Sequence, residues 1–399
     1  MNEHFQRAIP LLNKIEQHGY EAVFVGGSVR DFLLNRAIHD VDIATSATPE
    51  EIKAIFPKTV DVGIEHGTVM VLAFGESYEI TTYRAESEYV DHRKPKEVKF
   101  IRSLHDDLQR RDFTMNAIAM NKNGELIDPF HGQQAIRHQL IETVGDANER
   151  FEEDALRMMR ALRFVSQLSF TCSSETLKAL VFNKELLATI SVERITSEFG
   201  KLLDGINVQD AIRLLTETDL LAYLPELAGK HDHMLQLASY PIHELKSEDE
   251  KWALAMLCTD TLENVEKTLR KWRLSVKRIR SIRTIMKLVK ELPECPNLKW
   301  LLFQNGIEYT ISANRVLSVL GSDGVIEEKL LRGEWQSLVI HEPSELAVKG
   351  TDLMKWAPER KSGPWISEAL SSISEKVISE EIKNEKECIF EEAKRCNLI

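Results

Sequence analysis

Two aspartates, Asp40 and Asp42, stand two residues apart in the run Asp40-Val41-Asp42-Ile43-Ala44-Thr45. Read as a strand, that run projects both carboxylates from one face. Like charges side by side repel, so the pair is costly on an ordinary surface strand but suited to gripping hard divalent cations, which take oxygen ligands. Upstream, Gly26-Gly27-Ser28-Val29-Arg30-Asp31 follows an apolar strand and opens a helix. Glycines let backbone N–H groups approach a polyphosphate, and Ser28 and Arg30 add side-chain donors. A Gly-Gly turn alone is as readily a tight connection, and Asp-x-Asp alone a solvated edge. In succession they point to metal-assisted chemistry on a nucleotide phosphate.

The elements that must hold these groups change character along the chain. Between Tyr20 and Asp128, strand-like runs at Ala22–Val25, Val41–Ala44, Thr68–Leu72, Tyr78–Tyr83 and Ala117–Met120 alternate with turns. Helical patterns flank them at Phe5–His18, after Val29 and at Pro49–Phe56, where Thr48-Pro49-Glu50-Glu51 supplies a cap and first turn. The reading is an α+β head, a small mixed β-sheet with flanking helices. Beyond Gly132 the apolar period is helical throughout, at Ala135–Leu140, Phe151–Leu168, Ser191–Leu203 and Asp210–Glu217, with no strand expected between them. An elongated all-α region is therefore expected to follow the head. The proposed divisions are 1–140, 141–205, 206–295 and 296–399, as head, neck, body and tail.

Further stretches carry a resemblance. Gly-Gly-x-x-Arg-Asp followed by Asp-x-Asp resembles the polymerase-beta superfamily of nucleotidyltransferases. Gly63–Val69, Arg110–Ala117, Asp128–Gly132, Glu153–Phe164 and Ser191–Glu198 resemble, in order, the motifs of class II tRNA nucleotidyltransferases, the bacterial CCA-adding enzymes. The match runs continuously over about half the chain.

That resemblance implies template-independent addition of C, C and A, from CTP and ATP, to the 3′ end of tRNA. It implies Mg²⁺ held by Asp40 and Asp42, with Glu79 a third catalytic carboxylate; the alternative for Glu79 is an exposed edge residue. It places Gly26, Gly27, Ser28, Arg30, Arg111 and Asp112 on the nucleotide's ribose and phosphates. In Glu153-Asp154…Arg157…Arg160…Arg163, all three arginines join Asp154 in nucleotide binding. Asp154 and Arg157, three apart, are expected on one helix face, where they imitate a base edge. Asp154 accepts from the exocyclic amine of cytosine or adenine and Arg157 donates beside it, whereas UTP and GTP present a carbonyl to the carboxylate. Taken locally, such a pair is commonly only a surface ion pair.

Lys271–Lys290 holds eight Lys or Arg residues and no acid, and it reads as one helical segment. Trp272, Val276, Ile279, Ile282, Met286 and Val289 form its apolar stripe. Arg273, Lys277, Arg280 and Lys287 follow a second face, suited to tRNA phosphates or simply solvated. The net charge of −12 opposes indiscriminate nucleic-acid binding, so RNA must meet a local basic surface. Five scattered cysteines show no disulfide or zinc spacing, which fits a cytoplasmic protein. No apolar run suggests a membrane span, and a homodimer is compatible with the sequence. His231-Asp232-His233 lacks companions for a metal site and reads as surface.

The rival enzymes are an A-adding or CC-adding partial form and a poly(A) polymerase; a non-catalytic tRNA-binding protein is the rival from another class. Arg84–Pro95 resembles the intact flexible loop of full CCA-adding enzymes, and within it Glu86–Lys94 is expected to act as a lever that reshapes the base pocket between C and A. A pure binder has no use for the Asp40/Asp42 pair.

Overall fold

The computed structural model describes residues 1–86, 89–90, 94–95 and 98–399. Much of the expected lever, including Ser87, Glu88 and Asp91–Arg93, lies outside the described residues. Two compact units emerge, one of Met1–Ala238 with Lys271–Arg273 and one of Ser239–Arg270 with Leu274–Ile399.

The first unit opens with helix α1 (Glu3–Gln17), capped by the Asn2 side chain, which accepts from the His4 N–H at 3.0 Å. A seven-stranded mixed sheet follows: β1 (Ala22–Val25), β2 (Asp42–Thr45), β3 (Thr59–Asp61), β4 (Thr68–Ala73), β5 (Glu76–Thr82), β6 (Ala119–Met120) and β7 (Leu126–Ile127), in the spatial order β7-β6-β1-β2-β5-β4-β3. β1 and β2 are antiparallel with Val25 opposite Asp42, and β2 is parallel to β5 with Ile43 opposite Ile80. β1 is buried at all four positions, as its unbroken Ala-Val-Phe-Val run requires at the centre of a sheet. Helix α2 (Gly27–Leu33) leaves the end of β1. Helix α3 (Pro49–Ile55) starts on a complete capping box between Thr48 and Glu51, with Pro49 in its first turn.

After the head the chain is helical, with one correction. Leu140–Ile141 and Thr171–Cys172 pair as two short parallel strands where only helices were expected, because two-residue strands carry no readable alternation. Two helices matter to the site: α4 (Ala147–Glu153) and α5 (Leu156–Leu168). Helix α6 (Val192–Leu203) packs against α5, where Ser166 Oγ donates to the Leu202 carbonyl at 2.6 Å.

The second unit is helical. Its core gathers Leu302, Ile340, Leu353, Ile373, Val377 and Ile389, with Trp356, Trp365, Ile366 and Leu370 packed on it, so the apolar residues of the tail build a core. The basic segment is not one helix. A helix ends at Lys271, Arg273 turns with φ 54°, and helix α7 (Val276–Glu291) begins behind a Ser275 cap. Ile279, Ile282, Met286 and Val289 are buried as expected, but Val276 is 67% exposed because it occupies the first turn. Arg273 thus belongs to the first unit, and Lys277, Arg280 and Lys287 to the second.

Candidate active site

β1 ends against β2, and the turn after it sets the geometry of a cavity of about 1220 Å³. Gly26 has φ 71°, and a Cβ there would lie 3.4 Å from Arg111 Nη1 and 3.5 Å from Asp42 Oδ2. Those are ordinary contact distances, so it is the positive φ and not a lack of space that calls for glycine. Gly27 and Arg30 line the cavity too. Ser28 is not among the lining residues: its buried hydroxyl donates to the Val25 carbonyl at 2.9 Å and closes the turn. Arg30 is aimed by Asp31 at 2.9 Å and by Asn116 Oδ1 at 2.8 Å.

Asp40 and Asp42 both line the cavity, but they do not share a strand. Asp42 is the first residue of β2 and Asp40 lies before the strand, so the alternation of a single strand does not account for the pair. Asp42 meets water through the wide mouth yet lies deep among protein atoms. That burial, then the charges of Glu79 and Asp40, push its carboxyl above the ordinary range, against the pull of Arg111. Glu79 is on β5, where the parallel register brings it beside Asp42, although it is outside the cavity lining. Among the described residues no three or more His, Cys, Asp or Glu form a ready-made metal cage. A pair of carboxylates completed by substrate phosphate is the arrangement Mg²⁺ ordinarily accepts.

The same cavity is lined by arginines, several of them held by an acid. Asp107, only 1% exposed, holds Arg110 at 2.8 Å and Arg111 at 3.2 Å. Burial raises the Asp107 carboxyl, but the two arginines outweigh it and hold the group below its usual range. Asp112 accepts from its neighbour Phe113 N–H at 2.8 Å, Asn116 Nδ2 at 3.0 Å and Arg160 Nε at 2.7 Å. Against the effect of its burial, these partners hold Asp112 far below the carboxylate range. Both its oxygens are engaged, so it acts as the anchor of Arg160. Arg163 pairs with Glu198 at 2.9 Å, and burial followed by the nearby Arg160 brings its guanidinium down to about 10.

The Asp154/Arg157 pair is placed differently from the expectation. Asp154 terminates α4 in an extended conformation, φ −140° and ψ 100°, and α5 begins only at Leu156, so the two residues are not on one helix face. Asp154 Oδ1 accepts from the Leu156 N–H at 3.1 Å and Oδ2 from Arg194 Nη2 at 2.6 Å. Arg157 is buried, with Nη1 on Glu153 at 2.6 Å and Nη2 on the Arg110 carbonyl at 2.9 Å. Both still line the cavity together with Arg160 and Arg163. Sequence reasoning passed over Asp107 and Arg194. Arg194 was inside a recognised motif, and Asp107 was marked only by its spacing of three and four from two arginines. In all, nine Arg or Lys against five Asp line this cavity in a chain of net charge −12.

Among the four basic residues assigned to RNA, Lys277 and Arg280 are exposed and have no ion-pair partner among the described residues. Lys287 lies 3.5 Å from Glu291, and Arg273 lies 3.8 Å from Glu193. Among the described residues, no helix is long and apolar enough to cross a membrane.

Comparison with known proteins gives the family. Residues 22–142 match the Poly A polymerase head domain, 169–230 the probable RNA and SrmB-binding site of polymerase A, and 243–393 the putative tRNA nucleotidyltransferase domain 2. The CCA-adding enzyme of Geobacillus sp. (strain WCH70) is 48% identical over 100% of this chain and 99% of its own. The chain belongs to the CCA-adding enzymes. It is thus a tRNA nucleotidyltransferase. The crystal structure of the Bacillus stearothermophilus CCA-adding enzyme in complex with CTP is 45% identical and covers 100% of this chain and 98% of its own, with a TM-score of 0.92. The Thermotoga maritima CCA-adding enzyme complexed with tRNA-CCA shares the fold, at a TM-score of 0.62 and 22% identity over 100% of this chain and 96% of its own. An α+β head followed by helices is common to this family and this chain.

Proposed function

We propose that this enzyme adds C, C and A in turn, from CTP and ATP, to the 3′ end of tRNA in the cytoplasm, without a template. In each round the tRNA 3′-hydroxyl oxygen forms a bond to the α-phosphorus, the bond to the bridging oxygen breaks, and pyrophosphate leaves with that electron pair. Asp40 and Asp42 are the residues that would hold two Mg²⁺, with Glu79 adding negative charge behind Asp42. Bound there, the metal would ease loss of the hydroxyl proton and offset charge on the triphosphate.

The protein's own part is positioning. Arg30, Arg111 and Arg160, each aimed by a fixed acceptor, take the triphosphate and ribose, while the Gly26-Gly27 backbone lets the nucleotide sit close to the carboxylates. Asp154 accepts the amine of C or A, and Arg157, steadied by Glu153, donates beside it. Arg273, Lys277, Arg280 and Lys287 carry tRNA phosphates. Residues 1–140, 141–205, 206–295 and 296–399 serve as head, neck, body and tail.

The observation that carries this reading is the cavity itself, which is lined by Asp40 and Asp42, by arginines held on acids, and by Asp154 at a helix break. The test supplies one labelled nucleotide at a time to tRNAs lacking three, two or one 3′-terminal residues, with Mg²⁺. CTP should extend the first two and ATP only the third. ATP accepted by every tRNA in long runs would indicate a poly(A) polymerase, CTP alone a CC-adding form, and ATP alone on the third tRNA an A-adding form.

A further inference from the structure

Asp154 occupies an unusual place for a residue that reads a base. It lies between two helices with an extended backbone, its N–H on the Arg150 carbonyl at 3.4 Å and its own carbonyl accepting from the Arg157 N–H at 2.9 Å, which leaves the carboxylate to be fixed separately. A carboxylate on an extended residue turns about two side-chain bonds, and a reader free to turn discriminates poorly. Two contacts restrain it. The Leu156 N–H takes Oδ1 at 3.1 Å, and Arg194 Nη2 takes Oδ2 at 2.6 Å from 40 positions further along the chain. Arg194 is itself set by α6, on whose first turn it sits, and its Nη1 is buried without a hydrogen-bond partner among the described residues. Both residues line the same cavity.

We infer that Arg194 is a positioning residue for nucleotide choice: it clamps the Asp154 carboxylate so that its remaining acceptor sites point to where a base amine must lie. This rests on the reading of Asp154 as the base reader. With each oxygen tied once, the carboxylate keeps one free acceptor direction on each and offers no donor to a uracil or guanine carbonyl. Without Arg194 only the Leu156 contact remains, so the group can swing away from the approaching amine, and the advantage of cytosine over uracil shrinks. Asp40, Asp42 and the phosphate arginines are untouched by that loss.

The experiment measures kcat/KM for CTP and UTP on a tRNA lacking its three terminal residues, in the full-length wild type and in Arg194→Gln, Arg194→Lys, Asp154→Asn and the Asp154→Asn/Arg194→Gln double variant. Arg194→Gln should lower the CTP/UTP ratio by about tenfold or more, the scale of one good base contact. Arg194→Lys, which keeps one charged donor, should recover part of it. The double variant should have the same ratio as Asp154→Asn, since the clamp has nothing to act on once the carboxylate is gone. If Arg194→Gln slows CTP and UTP equally, Arg194 is merely a staple between helices and the inference fails. If Asp154→Asn also leaves the ratio unchanged, the base-reading assignment itself is wrong. An Arg194→Gln protein too unstable to assay leaves Arg194→Lys as the decisive variant, for which an unchanged ratio at reduced CTP affinity overturns the clamp.

Discussion

Asp112 and Arg160 are joined across 48 positions of sequence, with Arg160 Nε 2.7 Å from Asp112 Oδ2, and this bond ties the segment after Arg111 to α5. Asp112 is buried, and its other oxygen is engaged by Phe113 and Asn116. Replacing it by Ala would strand Arg160 beside a cavity already crowded with arginines. Asp112→Ala should cost about 2 to 3 kcal/mol, below the usual figure for breaking a buried pair because Arg160 keeps some contact with water. Urea denaturation of variant and wild type checks this, and a cost near zero would return the pair to the status of a surface bridge.

The same bond sets a pH dependence. The folded Asp112 carboxyl titrates well below its unfolded value, so the unfolded state binds the proton first. Its contribution to stability is therefore complete above the unfolded value of about 4 and is lost as pH falls from there towards the folded one. Melting temperatures followed downward from pH 6 should fall less steeply in Asp112→Asn than in wild type. Parallel acid limbs would show that other carboxylates carry the dependence.

Asp42→Asn removes one of three crowded negative charges, so the fold should keep its melting temperature or gain slightly, while kcat falls at least about a thousandfold, roughly 4 kcal/mol of transition-state stabilisation. Asp40→Asn should behave in the same way. Retained tRNA affinity, measured by filter binding, separates lost chemistry from lost structure. Near-normal turnover in both variants would remove the metal assignment.

Lys277 and Arg280 stand exposed on α7, where arginine and lysine side chains reach solvent while Ile279 and Ile282 pack inward. Changing both to Ala should flatten the slope of log affinity for tRNA against log salt by about 0.7 to 0.9 per lost phosphate contact. Nucleotide affinity should stay constant. An unaltered slope would make this face merely solvated.

What the sequence showed follows the range of the interactions involved. The runs at 22–25 and 68–73 declare themselves through apolar and β-branched residues, and Thr48 with Glu51 declares the start of α3; each signal spans a few residues. The paired carboxylates and the arginine motifs were legible as chemistry for the same reason. The helix break at Asp154 was not, because Glu153-Asp154-Ala155 contains neither Gly nor Pro, and Asp154 is turned out of the helix in contact with the distant Arg194. The contact of the Ser28 hydroxyl with the Val25 carbonyl has no local sign in the sequence. Asp107 gives no more local sign than any helical acid near arginines, and its importance comes from being buried beneath two of them.

The central claim is that one cavity, with no nucleic-acid template, selects C twice and then A. The most direct measurement incubates the full chain with a tRNA lacking its last three residues, Mg²⁺ and all four nucleoside triphosphates at equal concentration, and sequences the 3′ ends at completion. The account predicts a single dominant product ending in C-C-A, with U and G nearly absent and no extension beyond the A. Unextended tRNA, tails of repeated A, or U and G inserted in proportion to their concentration would contradict it.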